Sequence, residues 1–142
     1  MLERVQAMLR GEAPDPPVAG LIGFRLVAVA PGSAVFEMEA GPQHANPMGT
    51  LHGGILCDIA DAAMGIAYAS TLEEGESFTT LELKINFLKP VWKARLRAEG
   101  RVVKRGKTAG MVECDVLDET GSLVARASST CLTLSGKKAE GR

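Results

Sequence analysis

A chain of 142 residues with 46% hydrophobic content forms one domain with enough apolar surface for a real core. Its net charge of -1 argues against a nucleic-acid partner, because phosphate binding needs a basic excess. Three cysteines, Cys57, Cys114 and Cys131, are widely spaced and odd in number, which suggests neither a disulfide framework nor a zinc cluster but reduced core residues.

Leu2, Val5, Met8 and Leu9 recur at helical spacing and predict a short amphipathic helix ending near Gly11. This opening lacks the apolar run of a signal peptide, and no later stretch is long enough to span a bilayer, so a cytoplasmic protein without a membrane partner is expected. Pro14, Pro16 and Pro17 predict an extended connector. Residues 23–30 and 33–40 are rich in strand formers, and the Pro31-Gly32 turn between them makes a hairpin. Residues 41–51 hold two prolines and two glycines, which forbid regular structure and leave a loop that delivers polar side chains to the next element.

That element is a helix opened by His52-Gly53-Gly54 and running to Tyr68. Paired glycines let the backbone approach a ligand, and the first-turn N–H groups carry the positive end of the helix dipole, a combination that suits an oxyanion. Helical spacing gathers Ile55, Ile59, Ala62, Ala63 and Ile66, widened by Leu56 and Ala67, into a face expected to meet the core. Cys57, Asp61, Met64 and Tyr68 fall opposite, with Asp58 and Gly65 at the flank. A carboxylate among apolar neighbours implies that this second face is covered as well, by another subunit. Gly53 and Asp61 are eight residues apart, roughly 12 Å along the axis at the helical rise, so one small reacting group cannot touch both. If they act on one substrate atom, one of them comes from a neighbouring molecule whose helix runs antiparallel, giving two equivalent sites across a twofold axis.

Beyond a polar loop at residues 72–76, Leu81, Leu83, Ile85 and Phe87 alternate with Thr80, Glu82, Lys84 and Asn86, and a second alternation runs through residues 95–102. Period two of this length predicts antiparallel strands with one buried face. The turns Lys104-Arg105-Gly106-Lys107 and Asp118-Glu119-Thr120-Gly121 set off two more strands at 108–117 and 122–134. The expected organisation is an N-terminal helix and connector (1–17), one α+β domain (18–134) and a frayed tail (135–142). In the domain a sheet of about six antiparallel strands wraps one long central helix.

The chain resembles hot-dog fold thioesterases, specifically the PaaI-type acyl-CoA thioesterase group. The residues that carry the likeness are His44-x-Asn46-x-x-Gly49-x-Leu51-His52-Gly53-Gly54, then Asp61, then Leu81-x-Leu83-x-Ile85-Asn86-Phe87-x-x-Pro90. The resemblance implies an oxyanion-hole role for the Gly53 N–H, with Gly54 beside it as a substrate-binding residue, and a general-base or nucleophile role for Asp61 of the other subunit. It implies that Asn46 positions the thioester or the water, that His52 orients loop and substrate, and that Thr80 helps hold the attacking water beside Asp61. Related enzymes carry Ser or Thr four residues beyond the acid, where this chain has Gly65. The partner implied is an acyl-CoA, with coenzyme A part of the substrate, no separate cofactor and no metal, in a homodimer with interface sites that pairs into a homotetramer. Lys104, Arg105, Gly106 and Lys107 offer cations and a backbone amide to the coenzyme A phosphates, and equally make an ordinary solvated turn. Plainer roles stand beside the others: Asp61 as a surface acid, with Asp58 the rival carboxylate; the glycines and Asn46 as turn formers; His52 as a partner for backbone groups; Thr80 as a strand residue. A hot-dog dehydratase or hydratase and a non-catalytic acyl-CoA-binding module are the competing functions.

Overall fold

The computed structural model describes residues 1–141. In chain order it contains α1 (Leu2–Leu9), α2 (Pro17–Ile22), β1 (Phe24–Ala30), β2 (Ser33–Ala40), α3 (Gly53–Ala69), β3 (Glu76–Phe87), β4 (Ala94–Arg105), β5 (Ala109–Leu117) and β6 (Leu123–Ser135). The short α2 replaces the tail of the expected extended connector. Pro17 supplies a fixed φ at the first helical position, where no N–H is needed, and Gly23 ends the helix in the left-handed region at φ 93°. A single 3-10 turn, Pro42–His44, interrupts the loop before α3, and another, Gly136–Lys138, follows β6; Arg142 of the predicted tail lies outside the described residues.

The strands form one antiparallel sheet in the order β1-β2-β4-β5-β6-β3. The chain therefore leaves β2 on one side of the sheet and re-enters as β3 at the far edge, and α3 spans the distance between them. This is the α+β hot-dog arrangement, with α3 lying against β4, β2 and β5. Gly100 of β4 makes the approach possible: a Cβ there would fall 2.4 Å from the Ala63 carbonyl oxygen and 2.9 Å from the Met64 nitrogen, both helix backbone. Gly100→Ala is expected to push α3 off the sheet and cost about 1–3 kcal/mol or more, read as a lowered denaturation midpoint.

The helix meets the sheet through Leu56, Ile59, Ala60, Ala63, Met64, Ala67 and Tyr68. This corrects the face assignment made from sequence, in which Met64 and Tyr68 shared the outer side with Asp61. They point inward, while Ile55, Ala62 and Ile66 are only partly buried beside exposed Asp58 and Asp61. The core stripe is thus rotated by roughly 80° about the axis from the predicted one. With only two charges, Asp58 and Asp61, in seventeen residues, the helix is apolar nearly all round and its pattern alone does not set the rotation. Cys114 and Cys131 are buried, but Cys57 is half-exposed beside the acids.

β3 carries a bulge: Thr80 pairs with Cys131 and Glu82 with Thr130, leaving Leu81 without a place in the ladder. The bulge reverses the alternation, so that Phe78 and Thr80 before it and Leu83, Ile85 and Phe87 after it all face α3. The β5–β6 turn is closed by Asp118, which accepts from the Thr120 N–H, the Thr120 hydroxyl and the Ser122 N–H and pairs with Lys89 beyond β3. Lys89 first, then the Thr120 hydroxyl, holds the Asp118 carboxyl well below the usual carboxylate range. A depressed folded pKa stabilises above the unfolded value of about 4 and is lost as pH falls through the folded one. The denaturation midpoints of wild type and Asp118→Asn are therefore expected to differ most near neutrality and to converge as the pH drops below about 4.

Candidate active site

The start of α3 is organised by His52, whose extended backbone (φ -65°, ψ 132°) precedes the first turn. Its Nδ1 accepts the Gly54 N–H at 2.9 Å and its carbonyl accepts the Ile55 N–H at 3.0 Å. The acceptor role of Nδ1 puts the proton of the neutral ring on Nε2. Two first-turn donors are thus satisfied, and among the described residues the Gly53 N–H has no acceptor. Gly53 borders a cavity of about 360 Å³, together with Asn46, Leu56, Phe87 and the segment Leu88 to Val91. The Phe87 ring lies against Gly53 so closely that a Cβ there would sit 2.7 Å from Cζ. No residue but glycine leaves that ring undisturbed.

Asn46 reaches the same cavity, but its amide is already engaged. Nδ2 donates to the Thr50 hydroxyl at 2.7 Å and Oδ1 accepts the Met48 N–H at 2.9 Å, closing a turn in which Gly49 takes φ 85°. The side chain shapes the loop while one amide proton and one lone pair stay available to the cavity.

Further along α3, the exposed Asp61 accepts a hydrogen bond from the Thr80 hydroxyl at 3.2 Å. The β3 bulge is what turns Thr80 towards the helix. Asp61 and Thr80 border a second cavity of about 260 Å³, walled by Phe24, Phe36, Phe78 and Ile66 and shared with Asp58 and Asp15. Burial, and then the charge of Asp61, pushes the Asp58 carboxyl up; burial likewise raises the Cys57 thiol, with Asp58 and Asp61 adding to it. Asp58 therefore belongs to the acid end as a neighbour that feels Asp61. Among the described residues no lysine, arginine or histidine lines this cavity. Gly65 leaves room for Phe78, whose ring would be 3.3 Å from an added Cβ.

The two cavities share no lining residue. Their key atoms lie on one rigid helix, eight residues and roughly 12 Å apart, so within one protomer the free amide and the carboxylate cannot meet on a single atom.

The turn at 104–107 lies at the other end of α3. The Arg105 guanidinium stacks over the Tyr68 ring at 5.0 Å, pairs with Glu76 at 2.9 Å and donates to the Thr133 hydroxyl. Gly106 is required by the hairpin, since a Cβ there would meet the Ala109 carbonyl oxygen at 2.4 Å. Arg105 and Gly106 thus carry structural duties, while Lys104 and Lys107 are exposed.

The family model of the Thioesterase superfamily matches residues 48–125, or 78 of the 142 residues. The chain belongs to that superfamily. It is a thioester hydrolase, and His52, Gly53, Asp61 and Thr80 all fall inside the matched span, whereas Asn46 and the N-terminal arm precede it. Among solved structures, the phenylacetic acid degradation-related protein of Ralstonia eutropha JMP134 is 37% identical with a TM-score of 0.83, covering 91% of this chain and 98% of that one. Human acyl-coenzyme A thioesterase 13 is 32% identical over 110 residues, 74% of this chain and 76% of that protein. The 1,4-dihydroxy-2-naphthoyl-CoA hydrolase of Listeria monocytogenes is 30% identical over 109 residues, 77% of this chain and 89% of that hydrolase. Sequence reasoning overlooked Phe87 as the ring over Gly53, although its place in the alternating strand was visible. It also overlooked Met8, Pro16 and Val18 in the wall of the acid-end cavity, for which no local signal existed.

Proposed function

We propose that this thioesterase hydrolyses a small or medium acyl-CoA, aryl or alkyl, in a site completed by two protomers. The observation that carries the reading is the division of labour along α3, with an unpartnered amide in one cavity and a carboxylate in another. A second copy is the direct way to unite them. β3 supplies a means, because its outer edge has no strand partner and Leu81 and Phe87 are 57% and 56% exposed. Two β3 edges pairing antiparallel about a twofold axis, in a register centred on Lys84 with Leu81 in its bulge, would set Thr80 of one protomer opposite Phe87 of its partner. Thr80 accompanies Asp61 and Phe87 accompanies Gly53, so this register brings the acid of one chain to the amide of the other.

In the united site the Gly53 N–H donates a hydrogen bond to the thioester oxygen as negative charge develops on it, aided by the helix dipole. Asp61 either removes a proton from water as it adds to the carbonyl carbon, or adds itself and forms an anhydride that water then opens. Either way the C–S bond breaks, coenzyme A leaves as its thiol and the acid is released. Single turnover in oxygen-labelled water places label in Asp61 only through an anhydride that water opens at the Asp61 carbon. Thr80 orients the carboxylate, His52 holds the cap that leaves the Gly53 amide free, and Asn46 presents its remaining amide proton. Of the 104–107 turn, exposed Lys104 and Lys107 remain to meet the coenzyme A phosphates. The similarity to an acyl-coenzyme A thioesterase and a 1,4-dihydroxy-2-naphthoyl-CoA hydrolase supports the substrate class. Thiol release across a panel of alkyl- and aryl-CoA thioesters tests the reading. Turnover of at least one member is expected; binding without thiol release would point to an acyl-CoA-binding module instead, and hydration of an enoyl-CoA to a hydratase.

A further inference from the structure

We propose that the N-terminal arm, residues 1–22, is the wall that limits the length of the acyl group, with Met8 and Val18 as its gauge. The inference rests on the reading above, in which Asp61 acts at the thioester carbon, and it seats the acyl group in the cavity beside Asp61. That cavity is built from two sources. Part of its lining comes from the hot-dog core, where Gly65 offers no side chain and Phe78 stands against it, and part from Met8 of α1 with Pro16, Val18 and Ala19 at α2. Met8, Pro16, Val18 and Ala19 all precede the superfamily match at 48–125, which holds Asp61 and Thr80.

The wall is held in place at several points. Val5 and Ala19 are each 2% exposed and belong to the core, which fixes both helices of the arm. The end of α2 is tied to the catalytic loop through His44: the Gly41 N–H donates to Nδ1 at 3.3 Å, and Nε2 donates to the Ile22 carbonyl at 2.7 Å. His44 in turn accepts the His52 N–H through its carbonyl at 2.9 Å, so arm, loop and helix cap form one connected unit. A wall so anchored resists an acyl chain that is too long. The lining is apolar apart from Asp15, Asp58, Asp61 and Thr80, with no cation, so the group it takes is uncharged.

Two substitutions at separate points of the arm test this in the full chain. Thiol release is measured with saturated straight-chain acyl-CoAs from acetyl to lauroyl, and kcat/KM is compared along the series. One methylene that loses its place costs about tenfold or more. Met8→Trp and Val18→Trp are therefore each expected to lower the ratio of kcat/KM for octanoyl- over acetyl-CoA by about tenfold or more, and Met8→Ala to move the optimum to longer chains. Val18 is itself partly exposed, so its replacement leaves the core intact even if Met8→Trp fails to fold. Profiles of the folded variants that run parallel to wild type would overturn the proposal while leaving the hydrolase reading standing. A wild type silent towards both this series and aryl-CoAs would overturn that reading, and the proposal with it.

Discussion

Asp61→Asn is expected to lower kcat by about 10²- to 10⁴-fold while the protein remains folded and still binds its thioester. The substitution keeps the size and the hydrogen bond from Thr80 but removes both the basicity and the nucleophilicity of the carboxylate. Because Asp61 is exposed on the outer side of α3 and supports no ion pair among the described residues, its loss leaves the core as it was. The measurement is steady-state thiol release together with binding of an uncleaved thioester. Asp58→Asn serves as the comparison. Asp58 borders the same cavity and feels Asp61 electrostatically, but it lacks the contact with Thr80, so its replacement should leave most of the turnover. Equal loss from the two would mean that the pair, and not Asp61, is the working unit.

The second large effect separates one hydrogen atom from one carbon. Gly53→Pro deletes the amide proton at the first helical position, where proline is well tolerated, and His52 already has the extended backbone that a residue before proline prefers. Gly53→Ala adds a Cβ against the Phe87 ring and keeps the N–H. The alanine variant therefore reports the steric cost alone. If the amide stabilises the oxyanion, kcat of the proline variant should fall below that of the alanine variant by about 10²- to 10³-fold. Equal activities would show that the N–H takes no part in the reaction.

The sequence makes much of this site legible because its parts are local. A glycine pair before an apolar run, a histidine at the cap position and an acid in mid-helix can each be read from spacing. The four long strands follow from alternation, and the early hairpin from Pro31-Gly32. What spacing could not deliver was rotation and register. α3 is apolar on nearly all sides, so Met64 and Tyr68 were assigned outward when Gly100 and the sheet draw them in. The bulge at Leu81 is equally silent in the sequence, yet it alone lets Thr80 and Phe87 face the helix together. Asn46 illustrates a third limit. Its amide is spent largely on Thr50 and Met48, a local arrangement that its residue type permits but does not specify. The pocket wall from α1 and α2 is a long-range event, set by where Val5 and Ala19 are buried and not by any motif around Met8.

The shared site can be tested by mixing two inactive chains. Asp61→Asn and Gly53→Pro are refolded together in equal amounts, and turnover is compared with each variant refolded alone. If the amide and the acid come from different protomers, random pairing leaves about a quarter of all sites with neither substitution, and about a quarter of wild-type activity should return. If both groups served one site within a single chain, every site would carry one defect or the other, and the mixture would stay as inactive as its parents.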